Sequence, residues 1–198
     1  VDVDGVLLNW KDNFDFWLEN NMHPKDVELI KESKEKFNCI SYAMHDRYGI
    51  SEAEMIYYIK GFNQSIHFSH LLPIKNARKA MDKLVSNGWI ISTISSYSDD
   101  PLVDELRKSN LDKFFKKTTF YRHHRVGLNE SKTSFLKHYR NKYKKEHVCF
   151  VDDKPAHILD GIKCDIESYL FIQPHNKDHR LINSGYGTDW ENFLERYK

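Results

Sequence analysis

Val148-Cys149-Phe150-Val151-Asp152-Asp153 is a short apolar run that ends in two carboxylates. Its length and lack of alternation read as a strand buried on both faces. A helix follows at about 155–160, framed by Pro155 and Gly161. Similar units flank it. Trp89-Ile90-Ile91-Ser92-Thr93-Ile94-Ser95 reads as a second buried strand, and further strand-like runs lie at 118–121 and 169–172. Between them, a helix carrying Ala77, Ala80, Met81 and Leu84 stops at Gly88, Pro101 opens another, and a third covers about 131–145. Strands alternating with helices predict an α/β fold, a Rossmann-like parallel sheet of about five strands.

The chain opens on Val1-Asp2-Val3-Asp4-Gly5-Val6-Leu7-Leu8, read as a strand end and a turn at Gly5. It starts inside that strand and without a methionine, so we expect a few strand residues to precede Val1. Residues 10–70 read as helical. Phe14, Trp17 and Leu18 share a face, Pro24 suits a first helical turn, and Gly49 ends a helix through Tyr42 and Met44. Ser51 and Glu54 form a capping box. This stretch interrupts the alternation, so we expect a core of 1–9 and 73–198 with an inserted helical cap at 10–72.

At 198 residues the chain suffices for one core and a small accessory domain. A net charge of +1 gives no global field for nucleic acid or membrane. No apolar run reaches the roughly 20 residues that span a bilayer. Three widely spaced cysteines, Cys39, Cys149 and Cys164, argue against both a disulfide framework and a cysteine zinc site and fit a reducing compartment, the cytoplasm. The basic stretch from Lys137 to Lys145 reads as a solvated helix face with Phe135, Leu136 and Tyr139 inward, so nucleic acid is not the expected partner. His123-His124 has no spaced metal partner and reads as a polar loop.

The carboxylates carry the chemistry. Asp2 and Asp4 stand two apart at a strand end, and Asp152-Asp153 ends another strand. Ligands of such sheets bind beyond the carboxyl ends of the strands. If the two strands are neighbours, up to four carboxylates converge, and they would repel one another without a hard, oxygen-liganded cation. Mg2+ is the natural choice where a phosphate adds oxygens. Asp-Val-Asp-Gly as a calcium loop is disfavoured by its strand context, and Asp153 could also cap the helix at Pro155.

In order and spacing, Asp2 and Asp4, then Ser95, then Lys132, then Asp152-Asp153 resemble the four motifs of the haloacid dehalogenase superfamily over nearly the whole chain. The resemblance implies Asp2 as a nucleophile forming an aspartyl-phosphate and Asp4 as general acid, then base. It implies Mg2+ on Asp2, the backbone carbonyl of Asp4 and Asp152, with Asp153 behind them. Ser95 and the backbone at Ser96 would hold phosphate oxygens, with Thr93 the alternative to Ser95. Lys132 would balance the charge of Asp2, with Arg122 or Arg125 as alternatives. Asp2–Trp10, Leu71-Leu72-Pro73-Ile74, Gln173-Pro174-His175-Asn176 and Trp190 resemble the 5'(3')-deoxyribonucleotidases. That narrower likeness implies a nucleoside or deoxynucleoside monophosphate as substrate. The cap offers Trp10, Phe14, Trp17, Phe37, Tyr57 and Tyr58 as rings; most would form its own core, and Trp10 is the first choice to stack on a base. Another small phosphate ester, or a nucleic-acid 3'-phosphate end, is the alternative substrate. The oligomeric state is not legible.

Overall fold

The first helix, α1 (Trp10–Asn21), starts where the Asn9 side chain accepts the Asp12 N–H. The computed structural model describes residues 1–23, 25–28, 44–115, 122–128 and 130–197. Pro24, Phe37, Cys39, Tyr42 and the run at 118–121, all singled out in the sequence, lie outside these residues. A short helix, α2 (Met44–Tyr48), ends at Gly49, whose φ of 66° suits glycine. The expected capping box is present at the start of α3 (Glu52–Asn63): Ser51 and Glu54 bond each other's backbone N–H. A 3-10 turn at Ile66–His70 completes this helical stretch. Its core is aromatic. Trp10 stacks on Phe14 with centroids 4.6 Å apart, and Phe62 meets Trp10, Phe14 and Phe68 edge-on. The chain returns beside its own start: Asn9 N–H bonds Leu72 O at 2.8 Å, and Ile74 N–H bonds Leu7 O at 2.9 Å.

Helix α4 (Ala77–Ser86) buries Ala77, Ala80, Met81 and Leu84, the stripe read from the sequence. Strand and helix then alternate through β1 (Ser92–Ser96), α5 (Pro101–Phe114), β2 (Arg122–Val126), α6 (Thr133–Lys142), β3 (Cys149–Asp152), α7 (Pro155–Lys163) and β4 (Glu167–Phe171). A two-residue β5 (Gly187–Thr188) and α8 (Trp190–Arg196) follow. All named pairings are parallel: β1 with β2, β3 with β4, β4 with β5. The two groups are joined by the first residues of the chain. Ile94 N–H bonds Val1 O and Asp2 N–H bonds Val151 O, both at 2.9 Å. The opening segment thus lies between β1 and β3 and brings Asp2 beside the end of β3.

Burial on both faces explains the apolar runs. Val151, Tyr169 and Phe171 belong to one apolar cluster with α4 and α8; Phe150 and Leu170, alternating with them, belong to the other with α6 and α7. Leu136 is buried, Phe135 packs against that second cluster, and Tyr139 is half-buried.

His123 and His124 correct the sequence reading. They lie in β2, not in a loop. Their polar rings are accommodated because neighbouring elements supply partners. Thr93 Oγ1 lies 2.5 Å from His123 Nδ1 and Tyr97 Oη 2.9 Å from its Nε2, while Tyr139 Oη lies 2.6 Å from His124 Nε2. Burial, aided by the Arg107 charge, holds His123 down at about 4. The unfolded chain takes up this proton near pH 6.5, whereas the folded one refuses it. The histidine therefore leaves stability intact above about pH 6.5 and erodes it as pH falls toward 4. We expect urea titrations to show the parent losing about 1–3 kcal/mol more than His123→Gln between pH 7 and 4.5. Equal losses would contradict this assignment.

Candidate active site

The loop at residues 3–8 is tight. Leu7 and Leu8 both donate backbone N–H bonds to Val3 O at 2.9 Å, and Gly5 N–H bonds Leu8 O. Gly5 adopts φ 76°, and a Cβ there would drive into the Asp153 carboxylate. A glycine is required at this position by conformation and by space. The C-terminal stretch clamps the same loop: Gln173 Nε2 donates to Gly5 O at 2.5 Å and Trp190 Nε1 to Val6 O at 2.9 Å.

Lys132 sits at the N-cap of α6, where the chain leaves β2. Its ammonium is buried and donates to Asp2 Oδ1 at 2.6 Å and Asp152 Oδ2 at 2.7 Å. Lys132, and neither Arg122 nor Arg125, therefore bonds both carboxylates; the two arginine side chains are exposed on β2. His157 Nδ1 lies 3.0 Å from Asp152 Oδ2, and the Lys154 N–H donates to Asp152 Oδ1 at 2.8 Å. His175 Nε2 stands 3.2 Å from Asp153 Oδ2, and Asn176 Nδ2 donates to Asp153 O.

Charge sets the protonation. Burial, reinforced by Asp152, Asp153 and Asp4, outweighs Lys132 and pushes Asp2 well above the carboxylate range. Burial acts the same way on Asp152, but Lys132 and His157 overcome it and hold Asp152 well below that range. Burial raises Asp153 despite His175. Burial would lower Lys132, yet Asp152 and Asp2 together lift it above its ordinary range. One ammonium does not neutralise three buried acids. Oxygens of Asp2, Asp152 and Asp153 lie within 4.8 Å of one another. This compact set of hard donors, short of positive charge, fits a dication such as Mg2+.

Asp4 stands apart from that set. Arg107 Nη2 donates to both of its carboxylate oxygens at 2.6 Å, and Ser95 Oγ lies 3.4 Å from Oδ2. Arg107 is fully buried, with its guanidinium 4.3 Å from the Phe68 ring centroid. Among the described residues its Nε and Nη1 have no hydrogen-bond partner, and neither has Ser96 Oγ. Thr93, weighed as an alternative to Ser95, is engaged with His123 instead. Trp10 is part of the helical packing, its Nε1 donating to Asn63 Oδ1 at 2.9 Å.

Arg107, His157 and His175 were not singled out in the sequence. Arg107 had a usable signal: with Val103, Asn110 and Leu111 it lies on the buried stripe of α5. A charged residue in an otherwise inward-facing helical stripe asks for a buried partner. His175 lies in a stretch quoted only for its resemblance, and His157 looks like an ordinary first-turn residue.

A model of the haloacid dehalogenase-like hydrolases matches residues 1–171. No curated protein sequence matches. Among solved structures, a haloacid dehalogenase-like hydrolase from Streptococcus pneumoniae superposes with a TM-score of 0.64 at 9% identity, covering 100% of this chain and 96% of that one. A predicted phosphatase from Clostridium acetobutylicum gives 0.64 at 13% identity, covering 98% and 96%. The D,D-heptose bisphosphate phosphatase of B. bronchiseptica, complexed with magnesium and phosphate, gives 0.56 at 11%, covering 75% and 90%. At such identities these structures share the fold with this chain, and that is all they establish. Among the described residues no helix is long and apolar enough to cross a membrane.

Proposed function

The chain belongs to the haloacid dehalogenase-like hydrolase family, and from that membership we propose that it hydrolyses small phosphate monoesters through a covalent intermediate on Asp2. The carrying observation is the buried Lys132 bridging Asp2 and Asp152 beside Asp153, with Asp4 held separately by Arg107. Asp2 attacks phosphorus while the bond to the leaving oxygen breaks, and Asp4 gives that oxygen a proton. Asp4 then takes a proton from water as the water oxygen displaces Asp2 from phosphorus. Ser95 and the Ser96 backbone hold ester oxygens. Lys132 keeps Asp2 oriented and balances its charge.

Asp2, Asp152 and the Asp4 carbonyl would hold Mg2+, with Asp153 behind them. The bound ion would offset the charge of ester and carboxylates together. The phosphatase with bound magnesium among the structural neighbours supports this choice.

The substrate we favour is a nucleoside or deoxynucleoside monophosphate, with Trp10 at the base. The re-entry at Leu72–Ile74 and the docking of Gln173 and Trp190 on the first loop support that narrower reading. Residues 10–72 would act as a cap that admits small soluble substrates. Low cysteine content, with Cys149 and Cys164 free, supports the cytoplasm.

The test is hydrolysis of an activated aryl phosphate with and without Mg2+, then a panel of nucleotides, sugar phosphates and 3'-phosphorylated oligonucleotides. Turnover that needs Mg2+ and prefers nucleoside monophosphates is expected. Full activity in chelator would refute the metal assignment, and preference for another ester class would refute the nucleotide one.

Arg107 adds a positioning role. In Arg107→Met the Asp4 carboxylate loses the guanidinium that bonds both of its oxygens. We expect kcat to fall roughly 10–100-fold with KM nearly unchanged, because acid–base groups contribute about 10²–10⁴-fold when well placed. An effect on KM alone, or none, would remove Arg107 from the mechanism.

A further inference from the structure

We propose that His147, Cys149 and Glu167 form a second metal site, for a zinc-type divalent cation, at the opposite end of the sheet from the aspartate cluster. The backbone brings them together. Cys149 opens β3 and pairs in register with Glu167, which opens β4. His147 precedes Cys149 by two residues, the spacing that returns a side chain to the same side of an extended chain. Asp152 ends β3, so the two clusters are separated by about 10 Å of strand.

The donors already outline a coordination face. Cys149 Sγ lies 3.4 Å from His147 Nε2 and 3.8 Å from Glu167 Oε2, and those two atoms are themselves in direct contact. With zinc bonds of about 2.3 Å to sulfur and about 2.0–2.2 Å to nitrogen and oxygen, a tetrahedral face has sulfur edges of about 3.6 Å. Two edges are therefore near their bound lengths. The third, His147 to Glu167, opens to about 3.4 Å when the metal replaces their hydrogen bond.

The surroundings support the ligands as an outer shell does in built metal sites. Tyr169 Oη donates to Glu167 Oε1, leaving Oε2 to the metal. Tyr197 Oη lies 3.1 Å from Cys149 Sγ and 3.0 Å from Tyr169 Oη. Trp89 and Tyr197 flank the His147 ring with centroids 5.7 and 5.5 Å away. His147 and Glu167 are about half exposed, with side-chain exposures of 52% and 44%, so an ion can enter and a fourth position faces water. Thiolate, imidazole and one carboxylate select a borderline-soft ion and refuse Mg2+, so the two sites divide cations by donor chemistry.

The test uses the full chain in excess Mg2+, titrated with Co2+ as a spectroscopic probe and with Zn2+ in competition with a coloured chelator. One equivalent of Co2+ should give a near-ultraviolet thiolate charge-transfer band, which Zn2+ displaces. Cys149→Ser should abolish the band. His147→Ala and Glu167→Gln should each weaken Zn2+ binding more than about a hundredfold, the upper end of outer-shell losses. Circular dichroism reports whether each variant folds, and exposed His147 is the variant least apt to disturb the core. No cobalt–thiolate band in the folded parent overturns the site. So does Zn2+ binding that survives unchanged in His147→Ala. The spectrum is read without substrate, so it stands apart from any result on phosphatase activity.

Discussion

Asp2→Asn should abolish both turnover and the phosphoenzyme. An amide is a far weaker nucleophile than a carboxylate, and the change also removes charge from the proposed metal site. The comparison that gives this meaning is Asp4→Asn. Asp4 lies outside the Asp2–Asp152–Asp153 set, against Arg107 and Ser95, so its side chain can change without removing the nucleophile. Its proposed work spans both half-reactions, so Asp4→Asn should slow each by about 10²–10⁴-fold. An activated aryl phosphate needs no proton on its leaving group, so its first step should suffer less than the second. Phosphoenzyme should then accumulate in Asp4→Asn and be trapped by acid quench. Mass spectrometry of the quenched, digested protein locates the label. Label on a residue other than Asp2, or near-parent turnover by Asp2→Asn, would end the covalent mechanism proposed here.

What could be read in the sequence follows from where the information is local. Val148–Asp153 carries its own meaning, because a four-residue apolar run buried on both faces must pair within a sheet and must end where the acids begin. The helix stripes of α4 and the capping box of α3 are equally local. Lys132 is different. Nothing around it marks a buried lysine, and only its place in the motif series, between Ser95 and Asp152, singled it out. Arg107 illustrates the remainder: its partner Asp4 is 103 positions away, and no local pattern shows that the two meet. The histidines of β2 failed as a sequence reading for a related reason. Arg122-His123-His124-Arg125 has no apolar alternation, and its place in a strand depends on hydroxyl partners from Thr93, Tyr97 and Tyr139. Trp10 was read as a ring for substrate from its place after the first motif; its stacking on Phe14 is local to α1, but its bond to Asn63 is a contact between separate stretches that propensity and spacing could not show.

Lys132→Met should be the most destabilising single substitution at the site, and its pH dependence should reveal why. Methionine fills similar space without charge, so the loss is electrostatic. Two carboxylates, Asp2 and Asp152, would then face each other in a buried position, with the His157 imidazole beside Asp152 in place of the ammonium that bonded both. Removing one member of a buried ion pair costs about 3–5 kcal/mol, because the charge left behind keeps its desolvation penalty. In the parent, Lys132 holds Asp152 below the carboxylate range, and that contribution is present above the unfolded-state value near pH 4 and lost as pH falls further. In the variant a proton can replace the missing ammonium, so the acids protonate at higher pH and the penalty shrinks as the solution is acidified. Urea midpoints in metal-free buffer should therefore differ most near pH 7 and converge toward pH 4. Added Mg2+ should narrow the gap at pH 7, since a cation bound to the folded state stabilises it by mass action and meets the same deficit. Equal stability of parent and variant at pH 7, or a gap that widens on acidification, would show that Lys132 does not neutralise this cluster.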